Sequence, residues 1–356
     1  MRIAQVAPLF ESVPPKLYGG TERIVHYLTE ELVRQGHQVT LFASGDSVTS
    51  AHLVPLCPRA LRLDGTCDDP VARHLAALER VAARRADFDV VHFHTDYLHF
   101  PLARHLGVPN LSTLHGRLDI PALQPLYAEY SDMPVVSISD AQRRPLPHAN
   151  WLGTVYHGLP LDLLPFRDEP GDYFAFVGRL SQEKRPDRAV AIAAALGVPL
   201  KMAAKIDAAD QTYFDQHVAH LIAPPRVEHI GEIGDDEKAT FIGQARAVLF
   251  PVDWPEPFGL VMIEAMACGT PVIAFRCGSV PEVMVDGVTG FVVDTVDQAI
   301  AAAARIDTLN RRHIRHIFET RFSARRMARD YLALYPLVMR AAPPLLSSVA
   351  LAEAVD

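Results

Sequence analysis

Short β-rich runs alternate with helical stretches along most of the chain, and the alternation begins twice. "RIAQVAP" is followed by the helical "TERIVHYLTEELVRQG" and then by "HQVTLFAS", one β-α-β unit in which Gly36 stops the helix. Further strands are expected at "DVVHFH", "NLSTLHG", "VVSIS" and "GTVYHG", with helical stretches such as "VARHLAALERVAARRA" between several of them. Periodicity is then lost in "LDLLPFRDEPGD", Leu161 to Asp172, where proline, glycine and charge collect as they do in linkers. It returns with "YFAFVG", a helix "RPDRAVAIAAALG" opened by Pro186 and closed by Gly197, and strands at "PLKMAAK", "AVLFPVDW" and "PVIAF". This order predicts two mainly parallel α/β domains with helices on both sheet faces.

At 356 residues the chain is too long for most single cores and suits two domains. Expected boundaries are 1–165 and 166–322. A helix over 323–342, capped by Ser323, follows, and the residues beyond Pro343 are expected to fray.

Lysine plus arginine total 34 against 42 acids, a net charge of −8, and no long basic run marks a nucleic-acid partner or a membrane surface. Peripheral membrane contact has no support in the sequence, and oligomeric state is not readable from it. "MRIAQVAPLF" lacks the regions of a signal peptide, and no apolar run reaches the roughly 20 residues that span a bilayer. Cys57, Cys67, Cys268 and Cys277 show no C-x-x-C spacing, which fits a reducing compartment, so a cytoplasmic location is expected. No His/Asp/Glu cluster has metal-ligand spacing, and no G-x-S-x-G elbow is present.

"PEPFGLVMIEAMACGTPVIAF" sets two carboxylates, Glu256 and Glu264, in an otherwise apolar segment. "GLVMIEAMACG" reads as a helix that starts at the carboxyl end of a parallel strand. The free N–H groups near Gly259, Leu260 and Val261 would then form an anion site suited to phosphate. Glu256, in the loop before it, could accept hydrogen bonds from sugar hydroxyls, and Glu264 could take the paired hydroxyls of a ribose. Both also fit the ordinary role of acids near a helix start, worth a few tenths to about 1 kcal/mol.

Arg179, after Gly178, and Lys184 in "FVGRLSQEKRP" could neutralise a diphosphate or form an exposed basic loop. In "KLYGGTER", Gly19 and Gly20 allow close backbone approach ahead of a helix, as a binding loop or a plain turn; the segment is not G-x-G-x-x-G. His115 ends a strand where ligand-facing side chains collect. His92 and His94 alternate along another strand, and one of them could line the crevice.

Together, "GGTERIVHYLTEELVRQGHQVTLFA", "STLHG", "FVGRLSQEKRPD", "HIGEIGDDEK" and "EPFGLVMIEAMACGTPVIAF" resemble the retaining glycosyltransferases of family 4. The likeness spans nearly the whole chain. It implies the GT-B fold, two Rossmann-like domains facing across a cleft, with the last helix crossing back to the N-terminal domain. It further implies that Glu256 binds the transferred sugar, Glu264 the ribose, and Arg179 and Lys184 the diphosphate. The amides of Gly259, Leu260 and Val261, beside Phe258, would support a phosphate, and Ile233 and Lys238 would lie by the base. Gly19 and Gly20 would close over the donor, and His115 would approach the reactive carbon. The implied activity is transfer of a hexose from a nucleotide sugar, UDP-hexose by default and GDP-mannose as the variant, to a saccharide, lipid-linked glycan or small metabolite, with no metal or other cofactor. Tyr18 and Arg117 are acceptor-side candidates.

Where relatives often read V-x-N-G-I/V-D, this chain has "VYHGLP", with His157 and Pro160 in place of asparagine and aspartate. Other readings are a nucleotide-sugar epimerase or a phosphorylase on the same architecture, a non-catalytic sugar-nucleotide subunit, and, behind these, an NAD-dependent oxidoreductase.

Overall fold

The computed structural model describes residues 1–341 except 17, 18 and 66. Tyr18 and the segment beyond Pro343 therefore lie outside the described residues.

A seven-stranded parallel sheet is built from β1 (Arg2–Val6), β2 (Gln38–Ser44), β3 (His52–Cys57), β4 (Val90–Phe93), β5 (Asn110–Thr113), β6 (Pro134–Ser137) and β7 (Asn150–Thr154), in the order β3-β2-β1-β4-β5-β6-β7. A six-stranded parallel sheet follows from β8 (Phe174–Arg179), β9 (Leu200–Lys205), β10 (Val227–Gly231), β11 (Ala247–Phe250), β12 (Val272–Phe275) and β13 (Gly290–Val293), in the order β10-β9-β8-β11-β12-β13. Each sheet begins in its middle and grows outward in both directions, so each has a point where the strand order reverses: β1/β4 in the first and β8/β11 in the second. Crevices beyond the carboxyl ends of strands at such points are where open α/β sheets bind ligands.

The central strands are fully buried, as parallel strands covered by helices on both faces must be. Val90 and Val91 are 0% exposed, as are Ala247 and Val248. Helix stops follow local chemistry: Gly197 and Gly269 close Pro186–Leu196 and Leu260–Cys268 in the left-handed conformation.

Three strands, β3, β10 and β13, fall where the periodicity does not announce them. β3 carries a proline and β13 begins with glycine, both poor strand signals; the proline is accommodated at the sheet edge, where β3 has one neighbour. The strand expected at "GTVYHG" lies earlier, at Asn150–Thr154, and His157 sits in the loop beyond it. Likewise β4 ends at Phe93, and His94, whose N–H still donates to the Val6 carbonyl at 2.9 Å, sits at the strand's carboxyl end.

The helix Ala324–Ala341 returns to the first sheet. Tyr331 and Tyr335, both 0% exposed, pack beneath it against His92, with ring centroids 4.8 and 5.8 Å apart. Ser323 Oγ accepts from the Arg326 N–H at 3.4 Å at the start of this helix. Arg326 also donates to the carbonyls of Tyr156 and His157 at 2.7 and 2.8 Å, which ties the returning helix to the segment between the sheets. No described helix is long and apolar enough to cross a membrane.

Candidate functional site

The two reversal points face one another across a cleft of about 640 Å³. From the second sheet its walls are Gly178, Arg179, Lys184, Ile233, Lys238, Glu256, Phe258, Gly259, Leu260, Val261 and Glu264. From the first they are Gly19, Gly20, His115 and Arg117. All the candidate residues except Tyr18, which lies outside the described residues, are thus brought to one place.

The loop from β11 into the helix Leu260–Cys268 is pinned on several sides. Ser279 donates its N–H to the Glu256 carbonyl at 2.9 Å and its hydroxyl to the Phe258 carbonyl at 2.8 Å. From the first sheet, Ser139 Oγ donates to the Pro257 carbonyl at 2.7 Å. Gly259 has φ +78, and a Cβ there would come within 2.7 Å of Met262 Cε and 3.0 Å of the Phe250 ring, so the position needs glycine twice over. The result aims the helix start, whose first N–H groups have no intrahelical partner, into the cleft beside Leu260 and Val261. Across the gap, a Cβ on Gly20 would reach Leu260 Cδ1 at 3.5 Å, so the two domains nearly touch where the first helix begins.

Charge is arranged in pairs around this point. Lys184 Nζ donates to Glu256 Oε2, which also accepts from Trp254 Nε1 at 2.8 Å, and the ammonium lies 5.1 Å from the Trp254 ring. Lys238 Nζ donates to Glu264 Oε1 at 2.9 Å. Glu256 and Glu264 are only 8% and 5% exposed, so each carboxylate is held next to its ammonium with little water between them. Arg179 is gripped by Glu183 and by Asp210 at 3.1 Å. Glu183 is a partner of Arg179, and Arg185 bonds Asp187 and Asp253 at 2.7 and 2.8 Å. Lone pairs and hydrogens that satisfy one another here are also the ones a diphosphate and a polyol require.

The first sheet supplies a different surface. His94 lines the cleft and His92 lies beneath it; with His99, His115 and His157 they form a group of five largely buried imidazoles. Burial holds His92, His94 and His157 well below the usual imidazole range and pushes His99 and His115 down to about 3, so all five are neutral. His115 stacks against His157 with centroids 5.4 Å apart, and His157 meets the Phe258 ring at 4.8 Å. The histidine in the asparagine position of "VYHGLP" is therefore part of the cleft wall as well as of the domain junction. Arg117 reaches the cleft with its guanidinium bound to Asp119 at 2.7 and 2.8 Å.

The residues that line the cleft without a sequence signal include Asp96, Glu22, Arg23 and Trp254. Asp96, just past β4, has φ +49, a conformation uncommon outside glycine, and desolvation pushes its carboxyl up to about 6. Glu22 is 5% exposed in the first turn after Gly20, its carboxyl raised by burial. Arg23 forms an ion pair with Asp235, and Trp254 lines the cleft beside Glu256. Among the described residues no group of three or more His, Cys, Asp or Glu side chains could hold a metal ion.

Comparison with known proteins places this arrangement. Residues 18–151 match the sequence model of Glycosyltransferase Family 4, and residues 165–322 that of Glycosyl transferases group 1. A phosphatidyl-myo-inositol mannosyltransferase of Mycolicibacterium smegmatis is 27% identical, over 96% of this chain and 93% of its own. Among solved structures, a glycosyltransferase involved in avilamycin A biosynthesis superposes with a TM-score of 0.74 at 24% identity, over 96% of this chain and 99% of that one. The Anabaena protein HepE in complex with UDP-glucose superposes with a TM-score of 0.72 at 18% identity, over 95% and 100%. The structural likenesses concern the fold, two Rossmann-like domains in the GT-B arrangement, while the sequence matches cover both halves of the chain: it belongs to the family 4 glycosyltransferases.

Proposed function

We propose that the protein transfers a hexose, with retention of anomeric configuration, from a nucleoside-diphosphate sugar to a hydroxyl of a saccharide, lipid-linked glycan or small metabolite. The observation that carries this reading is the pairing of Lys184 with Glu256 and Lys238 with Glu264 on either side of one helix start, with Arg179 beside them. Two carboxylates flanking an anion site suit a ligand with hydroxyls at both ends and phosphates in the middle. Glu256 takes the sugar hydroxyls and Glu264 the ribose. Arg179, Lys184 and the Leu260 and Val261 amides take the diphosphate, and Ile233 and Lys238 lie by the base. Gly19 and Gly20 close over the donor, and His115 approaches the reactive carbon. UDP-hexose is the first donor to test, supported by the likeness in fold to a protein solved with UDP-glucose.

Retention proceeds by same-face displacement. The bond from the anomeric carbon to the phosphate oxygen breaks as the acceptor oxygen adds to that carbon, and the leaving phosphate takes the acceptor's proton. The protein's part is preorganised charge for the departing diphosphate. No protein nucleophile and no metal enter this scheme, because the side-chain cations carry the compensating charge. A dry, closed cleft would make hydrolysis of donor without acceptor slow. The reaction takes place in the cytoplasm in this reading.

Calorimetric titration with UDP, GDP and ADP, repeated on Arg179→Ala, tests the donor assignment. One nucleotide should bind, and the substitution should weaken it by about ten- to a hundredfold. Binding of none of the three overturns the reading.

A further inference from the structure

Behind His115 a file of buried polar side chains runs from the cleft to the C-terminal helix. His115 Nε2 lies 2.9 Å from His94 Nδ1, and His94 Nε2 lies 2.8 Å from Gln5 Oε1. Gln5 Nε2 donates to Tyr335 Oη at 3.2 Å, and that hydroxyl is 3.0 Å from His92 Nδ1. His92 Nε2 then meets Thr113 Oγ1 at 2.7 Å, and Thr113 meets Tyr331 Oη at 2.9 Å. Gln5, His92, Thr113, Tyr331 and Tyr335 are 0% exposed and His94 is 2% exposed, so water does not compete for these bonds.

Donor and acceptor counting gives the file a direction. The Gln5 carbonyl oxygen only accepts, so His94 carries its hydrogen on Nε2. A neutral imidazole has one such hydrogen, so His94 Nδ1 is bare and accepts from His115 Nε2–H. His115 Nδ1 is then bare as well, and it has no partner among the described residues. The other end agrees. Gln5 Nε2, which only donates, faces the Tyr335 oxygen, leaving the Tyr335 hydrogen for His92 Nδ1 and the His92 Nε2 hydrogen for Thr113.

We propose that Gln5 and His94 are positioning residues for the transfer reaction. Through the chain Gln5–His94–His115 they hold the His115 ring, which lines the cleft, as its Nε2–H tautomer, with Nδ1 bare and buried. Which nitrogen of a histidine is protonated is set by the bond its other nitrogen makes, and here that bond is specified from Gln5. The tautomer follows from this network alone; its use in transfer rests on the reading of His115 given above.

The test reads both. In protein labelled with 15N-histidine, long-range 1H–15N spectra report the tautomer of His115, whose signals are identified by their loss in His115→Asn. The wild type should show hydrogen on Nε2. Gln5→Leu should give a mixture of tautomers, and Gln5→Glu, whose carboxylate still accepts from His94, should keep the wild-type pattern. Turnover of UDP-glucose, followed by UDP release, should fall at least about tenfold in kcat in Gln5→Leu, with UDP affinity within about threefold of wild type. In the His115→Asn background the same substitution should have no further effect, whereas a merely structural role would add.

Hydrogen on Nδ1 of His115 in the wild type, an unchanged tautomer in Gln5→Leu, or additive losses would each overturn the proposal. If Gln5→Leu does not fold, the wild-type spectrum and Gln5→Glu decide it. A wild type that binds no UDP strikes the donor reading, while the spectrum alone still decides the tautomer.

Discussion

Both sheets begin in the middle and reverse their strand order at one point, yet they furnish that point with opposite chemistry. At β8/β11 the strand ends carry Arg179, Lys184 and Glu256, with Lys238 and Glu264 next to them, all in ion pairs. At β1/β4 they lead to Gly19 and Gly20, to neutral His94 and, one strand further, to neutral His115. A side that must hold a diphosphate needs fixed charge. A side that meets sugar and acceptor hydroxyls gains from groups that hydrogen-bond without charge and keep the reacting atoms dry. The fold thus sets where both sides meet, and the residues past the strand ends set what each side does.

The charged side offers the largest effect. Lys184→Ala removes the ammonium and leaves Glu256, 8% exposed, without its cation. Donor turnover should fall by about two to three orders of magnitude, the usual cost of losing a charge-stabilising donor. Glu256→Gln keeps shape and the Trp254 bond and should lose less ground-state binding than rate. A UDP-release assay on both variants checks this; a Lys184→Ala enzyme within about threefold of wild type would break the division.

The neutral side predicts a response to acid. His99, 0% exposed, has a pKa near 3 against 6.5 for an exposed imidazole. The unfolded chain therefore binds more protons below pH 6.5, and stability present above that pH is lost as the pH falls toward 3. By pH 5 this one group accounts for about 2 kcal/mol, from 1.36 kcal/mol per unit. His92, His94, His115 and His157 act in the same direction. Asp96, raised to about 6, opposes them: the folded state keeps its proton between the usual carboxylate range and pH 6, which offsets part of the loss. Thermal melts should show Tm falling steadily from pH 7 to 5, and the same fall in Lys184→Ala. A flat profile would show that the histidines are hydrated and not sealed in the wall.

The charged side was the more legible in sequence. Glu256 and Glu264 stand near the glycine and proline that mark where a helix begins, and Arg179 and Lys184 follow the glycine at the end of a strand, so local chemistry placed all four near strand and helix ends. The neutral side depends on contacts far apart in sequence. His94 reaches Gln5 across 89 positions and His92 reaches Tyr335 across 243, and no periodicity encodes such pairs. His92 and His94 looked alike as alternating strand residues and both are buried; the end of β4 at Phe93 is what brings His94 to the cleft wall. Edge strands such as β3 and β13 were hidden for a related reason: with one neighbouring strand each, they are held by tertiary pairing more than by their own propensity.

A smaller effect belongs to the clasp near the junction. Glu282, on the second sheet's side, accepts the N–H groups of Asp140 and Ala141 at 2.7 and 2.6 Å, and Tyr156 Oη at 3.3 Å. A carboxylate that binds two adjacent amides of the other domain fixes their relative orientation through charge-assisted bonds. Glu282→Ala should lower stability by about 1–2 kcal/mol, read in a denaturant melt. It should also widen the molecule in small-angle scattering without nucleotide, with UDP restoring the compact form. Unchanged scattering would show that these contacts do not set the orientation of the two domains.

The smallest effect is expected where Arg23 of the first helix meets Asp235. The Arg23 side chain is 8% exposed and that of Asp235 35%, so the pair is buried on one side and wet on the other. Asp235 also lies 3.7 Å from Lys238 Nζ, which itself holds Glu264. Arg23 therefore bears on Glu264 both directly, through its charge, and through Asp235, which it shares with Lys238. Arg23→Ala leaves Asp235 free to compete for that ammonium, which loosens Glu264. UDP affinity should weaken by about three- to tenfold, corresponding to roughly 0.7–1.4 kcal/mol, while the tautomer of His115 stays as it was. Asp235→Asn removes the competitor as well as the pair and should weaken UDP less than Arg23→Ala does. If the two variants weaken UDP equally, Arg23 acts only by joining the two domains at Asp235 and not through Glu264.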